Sequence, residues 1–157
     1  MTADVWYEGF TPGTLLRSGP RTVLAADIDR FAALTGDRHP VHMDDAFARA
    51  AGFRQRIAHG LFGLALMEGL KAGIGGFERS VTASLGWDAV RFHAPLEPGD
   101  TVLLELEYLS RRPSSRPGLG VAVERARLLR ADGTELTTGR HAVLLRMAPR
   151  GGGDAAE

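Results

Sequence analysis

Residues 57–74 read IAHGLFGLALMEGLKAGI, and this run predicts a long helix. Its apolar side chains fall on nearly every side of the helix instead of forming one stripe, which predicts a helix buried all round. Gly60, Gly63 and Gly69 are unfavourable inside a helix, so they indicate that something approaches the helix backbone closely. The run is therefore predicted to lie at the centre of the core.

The second half of the chain changes to the two-residue alternation of β-strands. The alternation is clearest in Val102–Tyr108 and Val121–Ala126, and Asp132-Gly133 marks a tight hairpin turn. Shorter strands are predicted near Thr82–Leu85 and Val90–Phe92, for about five strands in all. A buried helix followed by antiparallel strands is an α+β arrangement, with the sheet wrapped around the helix as in the hot-dog fold. Because an open sheet edge needs a partner, a homodimer is predicted.

The first half of the chain carries shorter elements. A strand is predicted over Arg21–Leu24 and a helix over Ala26–Leu34, ended by Gly36 as its C-cap. A second short helix is predicted at about Asp44–Ala51, and Pro40 disfavours a regular helix between the two. The Gly- and Pro-rich N-terminus predicts an extended arm that packs through its aromatic side chains.

Length and composition limit the functions that this chain can have. Its 157 residues suit one domain, predicted over residues 1–147 and followed by a flexible tail over 148–157. With 19 basic and 19 acidic residues the net charge is zero, which argues against a nucleic-acid partner. No cysteine is present, so a disulfide framework and a thiolate nucleophile are excluded. We expect neither a signal peptide nor a membrane span, and a cytoplasmic location.

The densest cluster of reactive side chains lies around Asp37 and His42. The intervening Pro40 turns the chain, so a carboxyl group and an imidazole could converge on one water molecule as proton donor and acceptor. In a simpler interpretation Asp37 caps a turn and His42 is a polar loop residue. A third interpretation is a metal site built from Asp37, His39 and His42, but Arg38 would place a cation beside the ion, and we predict no metal.

Three blocks of sequence resemble the MaoC-like family of (R)-specific enoyl-CoA hydratases. Residues 31–48, FAALTGDRHPVHMDDAFA, resemble the signature of that family, which carries Thr or Ser-Gly-Asp-x-Asn-Pro-aliphatic-His. Residues 57–61, IAHGL, resemble its second block, and residues 90–100, VRFHAPLEPGD, its third. The resemblance implies a hot-dog fold, a homodimer, and action on acyl thioesters of coenzyme A.

The resemblance also implies roles for individual residues. Asp37 and His42 fall on the catalytic pair of the family, which holds the water that adds to a trans-2-enoyl thioester and gives the (3R)-hydroxyacyl product. His42 would take a proton from the water, and Asp37 would deliver one to Cα. The N–H of Gly60 at the start of the buried helix would stabilise the thioester oxygen. No cofactor is implied, because coenzyme A is part of the substrate.

The substrate-binding residues are open to more than one interpretation. His39 stands where the family commonly has Asn, which affects the shape of the site. His59 is predicted to contact substrate or to make a local hydrogen bond. Arg91, Arg111 and Arg112 are predicted to meet the coenzyme A phosphates, which attract cations. Two other functions fit the same residues: dehydration of a branched, dicarboxylic or carrier-protein-bound 3-hydroxyacyl thioester, and acyl-thioester binding without catalysis.

Overall fold

A computed structural model describes residues 4–149 of the chain. After a short 3-10 helix at Tyr7–Gly9, these residues form six strands and four α-helices. In chain order they are β1 (Leu15–Arg17), β2 (Arg21–Thr22), α1 (Ala25–Thr35), α2 (Pro40–Met43), α3 (Asp45–Ala50), α4 (Gly60–Ile74), β3 (Val81–Phe92), β4 (Thr101–Pro113), β5 (Leu119–Arg130) and β6 (Glu135–Arg146).

The six strands form a single sheet in the order β1-β4-β5-β6-β3, with β2 beside β4, and every pair is antiparallel. The predicted α+β architecture is therefore confirmed, with one strand more than predicted. The two short strands predicted at 82–85 and 90–92 are one strand, β3. Their sequence patterns are separated because the pairing register shifts between Ser84 and Gly86 and between Asp88 and Arg91. Ala89, inside the second shift, has a positive φ of 52°.

Helix α4 packs against one face of the sheet, over β4, β5 and β6. Its buried residues Phe62, Leu66 and Met67 join the main core with Leu104 of β4 and Leu128 of β5. The opposite side of the helix is different from the prediction, because Leu61 is 64% exposed in the single chain and Ala65 and Gly69 are also exposed. The prediction that α4 is buried all round is therefore wrong for the single chain, which leaves the side with Leu61, Ala65 and Gly69 exposed.

The short helices confirm one predicted cap and correct one prediction. Gly36 ends α1 with φ 79°, and its N–H donates to the carbonyl of Ala32. The Asp44 side chain accepts a hydrogen bond of 2.8 Å from the N–H of Phe47 and begins α3. Pro40 was predicted to keep the chain out of a helix, but it is the first residue of α2, where its missing N–H has no helical partner to lose.

A buried network of charged side chains lies between α4 and the sheet. Glu124 of β5 is fully buried and accepts hydrogen bonds from Lys71 of α4 and, at 3.0 Å, from Nδ1 of His141 of β6. Nε2 of His141 lies 2.7 Å from Oγ of Ser84. Burial raises the pKa of the Glu124 carboxyl, but the His141 hydrogen bond and the Lys71 charge outweigh burial and hold the pKa below its usual value. The network is therefore built around an ionised carboxylate.

The N-terminal arm packs on the sheet through an aromatic side chain. In the predicted N-terminal arm, the Phe10 ring stacks on Tyr108 of β4 with ring centres 3.6 Å apart, so the arm packs as predicted. Of the predicted flexible tail, residues 150–157 lie outside the described part of the chain. Among residues 4–149, no helix has the length and apolar character needed to cross a membrane.

Candidate active site

His42 is held by the segment that leads into α4. The N–H of Ile57 donates to the carbonyl of Val41 at 3.1 Å, and Nδ1 of His42 lies 2.8 Å from the carbonyl oxygen of Ile57. Because a carbonyl oxygen can only accept, Nδ1 carries the proton. The other ring nitrogen, Nε2, therefore has a free lone pair and can accept a proton from a bound molecule.

The environment of His42 favours its neutral form. Partial burial lowers the pKa of the imidazole below its usual value, and the positive charge that His59 can carry lowers it further. The hydrogen bond to Ile57 and the Asp37 carboxylate act in the opposite direction, but the pKa remains lowered. His42 therefore keeps its lone pair at neutral pH, as a general base requires.

Asp37 lies in the turn that follows α1. One carboxylate oxygen, Oδ1, accepts a hydrogen bond of 3.2 Å from the N–H of His39, which orients the side chain. The side chain is 56% exposed, so water can reach it. Single ligand atoms of Asp37, His42 and His59 lie within 4.8 Å of one another. Since hydrogen bonds to water span about 2.8 Å each, one water molecule can bridge Asp37 and His42.

The N-terminus of α4 adds a hydrogen-bond donor to this site. Gly60 is the first residue of the helix, and among residues 4–149 no backbone or side-chain acceptor receives a hydrogen bond from its N–H. A Cβ atom at Gly60 would lie 2.9 Å from the Phe92 ring, so glycine allows the ring of Phe92 to lie directly against the helix backbone. The unpaired N–H can therefore donate to a bound carbonyl oxygen.

A cavity of about 360 Å³ opens beside these residues. It is smaller than a whole acyl-coenzyme A but large enough for a short acyl chain. Gly63 contributes to its wall by leaving room for Thr137, whose Oγ1 would lie 3.1 Å from a Cβ at position 63. The walls are mostly apolar and include His42, His59, Gly60, Gly63, Phe92, His93, Leu96 and Thr137.

A metal ion is the other occupant that the cluster could take. The three residues that offer ligand atoms are Asp37, His42 and His59, where the sequence had suggested His39 as the second histidine. One nitrogen of each histidine is already committed, since Nε2 of His59 lies 2.9 Å from the carbonyl oxygen of Asp37. Binding a metal at the free nitrogen of His42 would remove the lone pair that the base needs.

His39 takes a different role from the one predicted by its position in the signature. It is the N-cap of α2, where its Nδ1 accepts a hydrogen bond of 3.3 Å from the N–H of Val41. Asn is also a strong N-cap, so either residue can begin this helix. The His39 ring lies near Phe47 and His42, with ring centres 5.7 and 6.2 Å away, and is not part of the cavity wall.

The three candidate arginines lie outside the cavity wall. Arg91 is exposed on β3 and donates to the adjacent carbonyl of Val90. Arg111 donates to the carbonyl of Tyr7 at 2.6 Å and lies over the Tyr7 ring, and the exposed Arg112 follows it. Through Leu128 of β5, Leu104 of β4 is in register with Thr137 of the cavity wall. Arg111 lies seven residues further along β4, which corresponds to about 23 Å along the strand.

Several residues of the cavity were not predicted as site residues. Phe92 was predicted only as a strand residue, because a two-residue alternation does not identify which part of a strand meets the start of a helix. The others include Thr137 and His93, whose Nε2 lies 2.8 Å from Oγ1 of Thr138. The third block of the signature, residues 90–100, was the one available signal, because it contains Phe92 and Leu96.

Known proteins resemble this chain in sequence and in fold. The sequence profile of the MaoC-like domain matches residues 10–124. The (R)-specific enoyl-CoA hydratase of Aeromonas caviae is 32% identical over 123 residues, which are 77% of this chain and 85% of that protein. Protein MaoC of Klebsiella aerogenes is 38% identical over 101 residues, which are 64% of this chain and 30% of that protein. The structure titled monoamine oxidase regulatory protein, from Archaeoglobus fulgius, matches with a TM-score of 0.85 at 28% identity, over 94% of this chain and 98% of that one.

The six-stranded antiparallel sheet and the helix packed against it define a hot-dog fold. The chain belongs to the MaoC-like domain family, as the sequence signature predicted. It spans less than two thirds of the length of two of its relatives, namely 30% of protein MaoC of Klebsiella aerogenes and 59% of the 3-hydroxybutyryl-CoA dehydratase of Methylorubrum extorquens.

Proposed function

We propose that this protein adds water reversibly to the double bond of a trans-2-enoyl-coenzyme A thioester and forms the (3R)-hydroxyacyl thioester. The observation that carries the proposal is the placement of a carboxylate oxygen of Asp37 and a ring nitrogen of His42 within 4.8 Å of each other, beside the start of α4. The name of the Aeromonas caviae relative supports the same reaction. The proposed substrate includes its coenzyme A, so the reaction needs no separate cofactor.

In the proposed reaction His42 and Asp37 divide the two proton transfers. Nε2 of His42 takes a proton from the bound water while the water oxygen forms a bond to Cβ of the thioester. The electron pair of the double bond moves toward Cα and the carbonyl oxygen, where the Gly60 N–H stabilises the charge. The proton on His42 passes to the Asp37 carboxylate, which delivers it to Cα, so both side chains return to their starting states. Dehydration follows the same steps in reverse.

The partners proposed from the sequence are an acyl-coenzyme A and a second copy of the chain. Strand β3 is at one end of the sheet and pairs only with β6 among residues 4–149, so its other edge is available for a homodimer. A cytoplasmic location stays a prediction. Because Arg91, Arg111 and Arg112 lie outside the cavity wall of the single chain, their proposed contact with coenzyme A phosphates also stays a prediction.

A panel of thioesters tests the proposal. We expect the purified protein to consume short-chain trans-2-enoyl-coenzyme A, measured as loss of enoyl absorbance, and to yield the (3R) product in chiral analysis. Dicarboxylic, branched and carrier-protein-bound substrates in the same panel identify the acyl group and the carrier. Release of free thiol would indicate a thioesterase instead. Tight binding of every acyl thioester without turnover would contradict the proposal and indicate a binding module.

Adding a methyl group at Gly60 is expected to reduce catalysis more than stability. In Gly60→Ala the new Cβ meets the half-exposed Phe92 ring, which has to move into the space where the thioester would approach. Because alanine favours the helix by about 1 kcal/mol, we expect the free energy of unfolding to change by less than about 1 kcal/mol. The hydration rate should fall by about 10- to 100-fold through displacement of the reacting carbonyl.

Gly69→Ala is the matched control for this change. It adds the same methyl group to the same helix, but nothing lies within 4 Å of the new Cβ. We expect unchanged hydration and a stability gain of about 0.5–1 kcal/mol. Equal rates for the two alanine variants would argue against a thioester at the start of α4.

A further inference from the structure

His59 contacts both members of the candidate catalytic pair although it is itself nearly buried. It is the residue before α4 and is 4% exposed. Its Nε2 lies 2.9 Å from the backbone carbonyl oxygen of Asp37, and its ring stacks on that of His42 with centres 3.9 Å apart. The Phe31 ring also lies against the His59 ring, with centres 5.1 Å apart. A buried residue in this place has little surface left for the substrate.

The hydrogen bond of His59 has one possible direction. The Asp37 carbonyl can only accept, so Nε2 of His59 is the donor. This bond fastens the turn that carries Asp37 to the start of α4, across 22 residues of sequence. The other hydrogen bonds around Asp37 come from Thr35 at the end of α1 and from His39 two residues on, and neither bond reaches α4. His59 thus provides the link from that turn to the helix that carries Gly60.

The second ring nitrogen of His59, Nδ1, indicates that this residue does more than stabilise the fold. Its Nδ1 is buried and has no hydrogen-bond partner among the described residues. An unpaired buried acceptor is unfavourable, and an apolar ring of similar shape would avoid it. A histidine at this position is therefore less stabilising than an apolar ring. The hydrogen bond to the Asp37 carbonyl is what the histidine provides in exchange.

We propose that His59 is a positioning residue, which holds the Asp37 turn at the distance from His42 that one shared water requires. This inference rests on the proposed hydration reaction. The substrate contact expected for His59 from sequence stays a separate prediction, since His59 also lines the cavity. The donor at Nε2 supplies the position of Asp37, and the stacked ring limits the rotation of His42. Neither contact requires His59 to touch the thioester.

Two variants separate the hydrogen bond from the ring. His59→Phe keeps an aromatic ring against His42 and Phe31 but has no donor for the Asp37 carbonyl. His59→Gln gives up the ring but can place an amide N–H near the position of Nε2. If the bond positions Asp37, His59→Phe should lower kcat by about 10- to 100-fold with KM changed less than about threefold. His59→Gln should recover most of that loss, and the unfolding midpoint of His59→Phe should be unchanged or raised.

A second measurement does not depend on activity. Backbone order parameters of Asp37 and Arg38, from NMR relaxation, should fall in His59→Phe and stay near wild type in His59→Gln. If the wild-type protein hydrates no thioester and this difference is still seen, His59 holds the turn and the proposed function fails. Unchanged order together with unchanged kcat in His59→Phe would overturn the role of His59 itself.

Phe31→Leu serves as the control for packing. It loosens the contact with the His59 ring and leaves the donor and its acceptor in place. We expect kcat close to that of the wild type. An equal loss of kcat in Phe31→Leu and His59→Phe, without rescue by His59→Gln, would show that packing and not the hydrogen bond is what matters, and would also overturn the proposal.

Discussion

His42→Ala is expected to lower the hydration rate by about 10²- to 10⁴-fold, which is the usual contribution of a positioned general base. The loss follows from the free lone pair on Nε2, the only ring nitrogen of His42 that is not bonded to the Ile57 carbonyl. Asp37→Asn should cause a loss of the same size, because an amide keeps the shape of the side chain but cannot deliver the proton to Cα. Initial rates with the best thioester of the panel measure both effects.

The fold should survive both changes, because neither side chain belongs to the core. Asp37 is exposed and His42 only half-buried, so we expect far-UV circular dichroism and the unfolding midpoint to stay close to those of the wild type. The double variant should be little slower than either single variant, since the two residues act on one water. Near wild-type rates for both single variants would refute the assignment of this pair.

Glu124→Gln is expected to produce the largest loss of stability, about 3–5 kcal/mol in the free energy of unfolding. The change removes the charge of a fully buried carboxylate and leaves Lys71, itself 7% exposed, without its anionic partner. The hydrogen bond from Nδ1 of His141 also loses its charged acceptor. Urea denaturation, followed by fluorescence or circular dichroism, measures the difference.

Glu107→Gln is the matched control on the neighbouring strand. Glu107 pairs with Arg125 at 2.9 Å, but both side chains are substantially exposed to solvent. Exposed pairs contribute about 0–1 kcal/mol, so the same chemical change should have little effect there. A loss below about 1 kcal/mol in both variants would mean that water reaches Glu124 in solution.

The sequence predicted the architecture well, because the relevant signals are local. The run at 57–74 and the alternation in the second half are each contained in one element, and the structure has both. The prediction failed where a second element decides the outcome. The break in alternation between Ser84 and Arg91 resembles a turn between two strands, whereas pairing with β6 continues through it as two register shifts.

The sequence identified the reactive pair of the candidate site, Asp37 and His42. It did not identify the contacts that hold this pair in place. Asp37 and His42 stand out because both lie in one motif, and the second block of the resemblance, residues 57–61, implied Gly60. The role of His59 depends on the distance from its ring to a carbonyl 22 residues away, which no local pattern contains. The arginines show the same limit, since only the pairing register places Arg111 far from the cavity.

The irregular course of β3 limits which strands can pair with the outer edge of the sheet. A straight outer strand of twelve residues, carrying the exposed Val81, Leu85 and Phe92, would accept an extended segment from almost any protein. Its register shifts and the positive φ of Ala89 interrupt the regular spacing of N–H and carbonyl groups along that edge. An unrelated strand therefore cannot form a continuous ladder there, so the edge selects against indiscriminate strand addition while it remains uncovered.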